Sequence, residues 1–100
     1  MLEDIRFAVQ QQRHRYTLHA QERMAQRRIT DQEVMQVILC AEAEVIEEYP
    51  TDKYSPSCLM YGFTEQRRVL HVQANYQGVI VTVYEPDPEE WIDGKRRRSP

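Results

Sequence analysis

His19, Arg23, Arg27 and Arg28 crowd into the run Tyr16-Thr17-Leu18-His19-Ala20-Gln21-Glu22-Arg23-Met24-Ala25-Gln26-Arg27-Arg28-Ile29-Thr30, in a chain whose formal net charge is −3. Spaced as a helix, His19, Glu22, Arg23 and Gln26 stand at i, i+3, i+4 and i+7 and share one face. Ala20, Met24 and Arg27 fall on the neighbouring face, where Ala20 and Met24 can pack inward. Arginine offers a planar fork of donors that fits a phosphate, and imidazole exchanges a proton near neutral pH. Together they suit metal-independent RNA cleavage, which needs a base for the 2′-hydroxyl, an acid for the leaving oxygen and cations for the transition state. The plainer alternative is a solvated face on which Glu22 offsets the arginines.

His71 is the second candidate. In a strand it shares a face with Gln73 and Asn75, and if that face is concave then His71, Thr82 and Tyr84 line a groove together. The alternative is a half-exposed strand histidine lying over a neighbour. A zinc site from His19, Glu22 and His71 matches no recognised metal spacing, so no metal is expected. His14, in a polar link, is given no role. The tyrosines at 49, 54, 61, 76 and 84 are explained by packing in the sheet half, and Trp91 by clamping the C-terminal segment. Cys40 and Cys58 have no histidine nearby in sequence and no Cys-x-x-Cys spacing, which leaves a thiol nucleophile, a disulfide framework and a zinc knuckle unsupported. A Gly-rich phosphate loop is absent.

These side chains need elements to hold them. Leu2, Ile5, Ala8 and Val9 predict a short amphipathic helix over 3–13, and residues 18–27, rich in helix formers, predict a second. Thr30 and Glu33 form a T-x-x-E capping box, with Ile29 and Val34 as its hydrophobic staple. Val34, Val37, Ile38 and Ala41 then make one buried stripe of a third helix over 31–41. Beyond Ala43 the period becomes alternating. Strands are predicted at 45–49, 58–63, 69–76 and 79–84, with a loop over 51–56, turns at 64–67 and around Gln77-Gly78, and a stop at Glu85-Pro86-Asp87-Pro88. Helices first and strands after give an α+β fold, the N-terminal helices packed on one face of a C-terminal four-stranded antiparallel β-meander and the other face partly open.

One hundred residues make one domain, expected over 1–92, with 93–100 as a basic, disordered tail carrying Lys95-Arg96-Arg97-Arg98. Charge is uneven: six arginines precede residue 29, whereas residues 31–52 carry seven carboxylates and neither Lys nor Arg. A polyanion would meet the basic parts and be repelled by the acidic middle. No apolar run approaches the ~20 residues that span a bilayer. The acidic N-terminus and the unpaired cysteines predict a cytoplasmic setting without membrane contact.

The run Thr17 to Thr30, followed by Glu33-Val34, resembles the signature of a small bacterial family of domains of unknown function, roughly T-x-H-A-x-x-R-M-x-x-R-x-I-T and then E-V. Val45-Ile46-Glu47-Glu48-Tyr49-Pro50, Leu70-His71-Val72 and Thr82-Val83-Tyr84-Glu85-Pro86 extend the resemblance over residues 16–91. Its layout is similar to that of RelE-like and BrnT-like toxins, small ribonucleases paired with antitoxins, which is an analogy of fold. The resemblance implies motif residues His19, Arg23, Arg27, His71 and Thr82. It also implies RNA or the ribosome as target, a small antitoxin-like protein as partner, and no cofactor. On this reading His19, His71 and Arg23 are catalytic, and Arg27, Arg28, Thr82 and Tyr84 bind substrate. A sequence pI near 5.6 departs from the basic character of such toxins. The rival is a non-catalytic protein–protein interaction module, using an exposed sheet edge or the acidic 42–52 segment, with His19 structural.

Overall fold

Helix α1 (Leu2–Gln10) buries Ile5, Ala8 and Val9 and ends at Gln10, three residues before the predicted limit. These features come from a computed structural model that describes residues 1–51, 53 and 56–98; Asp52, Tyr54 and Ser55 of the predicted loop, and Ser99 and Pro100 of the predicted tail, lie outside the described residues. After α1 the chain runs as β1 (Arg15–Tyr16), α2 (Leu18–Arg27) and α3 (Asp31–Leu39). Then follow β2 (Glu44–Tyr49), β3 (Ser57–Phe63), β4 (Val69–Asn75), β5 (Val79–Tyr84), β6 (Trp91–Ile92) and β7 (Arg96–Arg97). The fold is α+β. No helix among the described residues is long and apolar enough to cross a membrane.

Strands β2 to β5 pair antiparallel in chain order, but the sheet is not a four-stranded meander. It has five strands in the order β1-β5-β4-β3-β2 and is mixed, because β1 runs parallel to β5. The amide of Arg15 donates to the Gly78 carbonyl and that of Thr17 to the Ile80 carbonyl, so the link after α1 fills the open edge of β5. Two residues carry no periodicity, and only the waiting edge makes them a strand.

The pleat divides the sheet into two unlike faces. Cys58, Met60, Leu70, Val72, Ala74, Ile80 and Val83 join Ile5, Val9, Ala20, Val34, Val37 and Ile38 in one core beneath the helices. Helix α3 lies so close that a Cβ on Gly62 would stand 2.9 Å from the Val37 carbonyl oxygen. Arg6 fixes α1 to the end of α3 by donating to the carbonyls of Ile38 (2.9 Å) and Cys40 (2.8 Å), a cation at a helix C-terminus. The capping box forms as read: the Thr30 hydroxyl accepts from the Glu33 amide while the Glu33 carboxylate accepts from the Thr30 amide.

The second face is not open. Tyr61, His71 and Tyr84 stand in register across β3, β4 and β5, and the antiparallel β6–β7 hairpin lies over them. Residues 93–98, expected as part of a disordered tail, therefore belong to a folded strap. Trp91, only 2 % exposed, supplies its apolar anchor.

Candidate functional site

Helix α2 is pinned at both ends to the last long strand. At its start the Thr17 hydroxyl accepts from the Ala20 amide (3.0 Å) and donates to the Val81 carbonyl (2.9 Å). At its end Arg28 takes the left-handed conformation (φ 54°), and Arg68 donates to the carbonyls of Arg27 (2.8 Å) and Arg28 (3.1 Å). The same guanidinium pairs with Glu33 at 3.2 Å and Glu85 at 3.1 Å. One half-buried arginine thus joins the end of α2, the first turn of α3 and the exit of β5. Ala20 is buried and Met24 packs against the core, which turns the polar flank of α2 outward.

That flank forms one wall of a cleft of about 550 Å³. Arg23, Arg27 and Tyr84 line it, facing Glu85, Asp87, Glu90 and Trp91 on the segment that leaves β5. Among the described residues neither the Arg23 nor the Arg27 guanidinium makes a side-chain hydrogen bond or ion pair, unlike those of Arg6, Arg67, Arg68 and Arg97. Two uncommitted guanidinium groups on one wall can receive an anion without breaking an internal pair. On the opposite wall Glu85 is already held by Arg68, and an Asp87 carboxylate oxygen accepts from the Glu89 amide.

Of the predicted site residues the cleft brings together Arg23, Arg27 and Tyr84, and His71 reaches this set only from behind, through Tyr84. His19 is exposed in the first turn of α2, one turn before Arg23, and lies outside the cleft walls. Arg28 is the exposed C-cap of α2 and Thr82 is half-buried opposite Gln73; both also lie outside. His71 is fully buried, so the open groove expected of His71, Thr82 and Tyr84 does not form; Trp91 packs edge-on against the imidazole, ring centroids 4.5 Å apart.

Both nitrogens of His71 are engaged. Nε2 lies 2.6 Å from the Gly94 carbonyl oxygen, which can only accept, so the neutral ring carries its proton there. Nδ1, at 3.2 Å, then accepts from the Tyr84 hydroxyl. Burial pushes the His71 pKa below the ordinary value, opposed by the Gly94 bond and Glu47 and reinforced by Arg97. Burial likewise pushes Tyr84 up to about 12, so its hydroxyl stays protonated at neutral pH. His71 sits behind Tyr84, the one residue of this pair that reaches the cleft as a predicted substrate contact.

Three contacts escaped the sequence reading: Arg68, Gly94 and a cluster at the start of α3. In the last, His14 Nε2 donates to Asp31 at 2.8 Å and the Tyr16 hydroxyl donates to the same carboxylate oxygen. Partners 15 to 41 residues away leave no local spacing to read. Among the described residues no group of three or more His, Cys, Asp or Glu side chains could hold a metal ion. Cys58 is buried, which pushes its thiol up to about 11, and both cysteines are free.

A helix-covered mixed sheet with a cleft of mixed charge beside its last long strand defines the class as a small α+β domain. Residues 16–85 match the family model of DUF4258, a domain of unknown function, and the chain belongs to that family. No curated protein and no solved structure matches it.

Proposed function

We propose that this domain binds single-stranded RNA along α2 and cleaves it without a metal, in the manner of the toxin-type ribonucleases. The observation that carries the reading is the pair of guanidinium groups, Arg23 and Arg27, unpartnered among the described residues, on the cleft wall beside Tyr84. They hold the scissile phosphate and offset the charge that grows on it in the transition state. His19, exposed on the same helix, takes the proton of the 2′-hydroxyl. The 2′-oxygen attacks phosphorus, the bond to the 5′-oxygen breaks, and a cyclic phosphate forms. The proton held on His19 passes through water to the leaving 5′-oxygen, while Tyr84, whose own proton is directed at His71 Nδ1, contacts the substrate through its hydroxyl oxygen. His71 is a positioning residue that orients the Tyr84 hydroxyl.

The test is binding and cleavage of a labelled RNA oligonucleotide in the presence of a chelator. Wild type is expected to bind and cut. Arg23→Ala and Arg27→Ala each weaken binding and flatten the slope of log affinity against log salt by about 0.7 per lost phosphate contact. His19→Ala keeps binding and loses cleavage. Intact RNA with wild type, or cleavage unchanged in His19→Ala and Arg23→Ala, contradicts the reading.

A non-catalytic interaction module is the second reading. A separate groove of about 500 Å³ favours it, lined by Met35, Leu39, Ala41 and Phe63 between α3 and the end of β3. RNA binding without cleavage in any variant, or capture of a protein partner that Leu39→Asp abolishes, would select it.

A further inference from the structure

The strap is closed largely by polar contacts over a buried histidine. Lys95 pairs with Glu44 at 2.6 Å, and Arg97 donates to Glu47 from Nε at 2.7 Å and from Nη2 at 3.1 Å. Beneath them the Gly94 carbonyl accepts from His71, and Trp91 stands edge-on over the ring. Gly94 sits at φ +71°, and a Cβ there would lie 2.8 Å from the Tyr61 ring, so the turn closes this tightly only with glycine. Apart from the Trp91 anchor, the fastening is polar, and its centre is a histidine with no exposed surface.

We propose that residues 91–98 form an acid-released latch, in which protonation of His71 lifts the Trp91–Arg97 hairpin from the sheet and bares the row of Tyr61, His71 and Tyr84. Complete burial is what chiefly disfavours the imidazolium in the closed state, against the Gly94 carbonyl, which favours it. Nδ1 would gain a proton facing the Tyr84 hydroxyl of β5, which must then turn from donor to acceptor. Tyr61 of β3 and Trp91 of β6 pack around the ring and offer no second carboxylate. Glu47 of β2 favours the charge, but its carboxylate is already taken by Arg97, and Arg97 of β7 opposes it. In the open state water solvates the cation. Burial lowers the pKa of His71 when closed, so the closed state binds fewer protons; closure is fully supported above the open-state value near 6.5 and weakens as pH falls. The latch stands whether or not α2 binds RNA.

Trp91 is the only tryptophan in the chain, which makes its fluorescence a direct reporter. The experiment follows emission and acrylamide quenching of the full chain from about pH 8 to about pH 5, with far-UV circular dichroism alongside. The opening constant should rise by up to about tenfold per pH unit below about 6.5, seen as a red shift and greater quenching at unchanged dichroism. His71→Phe should stay closed at the acid end. Gly94→Ala should be open already at neutral pH, and Glu47→Gln should move the midpoint upward. If His71→Phe does not fold, NMR of wild type serves: the His71 ring and the Trp91 indole should titrate with one midpoint. Flat quenching across the range, loss of Trp91 protection only together with dichroism, or separate midpoints for the two rings would overturn the latch.

Discussion

Asp31 shows how one side chain can hold an element junction. Its carboxylate accepts from His14 and Tyr16, which flank the entry to α2, while its backbone begins α3. Partial burial pushes its pKa up, but the bonds from Tyr16 and His14 outweigh that, and the net shift is downward. The folded state therefore binds fewer protons than the unfolded one. The contribution of Asp31 is complete above its unfolded value of about 3.9 and is lost as pH falls through the lower folded value. Urea unfolding of wild type and Asp31→Asn should differ most at neutral pH, with the gap narrowing as pH drops below about 4. Neither this junction nor the contact of His71 with Gly94 had a visible signal in the sequence. His71 alternates with Leu70 and Val72 as any strand residue would, and its partner at Gly94 is 23 residues away.

The elements were the most legible part of the chain. Helix α2 starts and stops where its helix formers said it would, and the T-x-x-E box of α3 is made bond for bond. Those signals are local, so a single sequence carries them. Removing the cap with Thr30→Ala should cost about 1 kcal/mol, or about 4–8 °C in Tm, without changing the fold. Arg68→Met should cost more, about 2–3 kcal/mol, since it strips two helix-end carbonyls and leaves Glu33 and Glu85 unpaired; denaturant midpoints measure both. β1 and the strap could not be read this way. β1 exists because β5 has an open edge, and Lys95-Arg96-Arg97-Arg98 reads as solvated until Glu44 and Glu47 are seen facing it.

At the scale of the molecule, internal pairing decides which charges remain available. The acidic segment that looked hostile to a polyanion is partly spent on the protein itself: Glu42 pairs with Arg67, Glu44 with Lys95 and Glu47 with Arg97. Among the described residues Arg23 and Arg27 have no such partners, and it is on this local inequality, rather than on the net charge of −3, that the proposed anion binding rests. The basic motif and its helix were visible in the residues alone. That Tyr84 joins the two arginines while His71 does not depends on the strap, which only the folded chain reveals. Mapping backbone NMR shifts on addition of a short single-stranded RNA is the most direct test. The account predicts shifts concentrated at Arg23–Arg27 and at Tyr84–Glu90, fading as salt is raised. Shifts confined to the α3 groove around Met35, Leu39 and Phe63, or none at low salt, would contradict it.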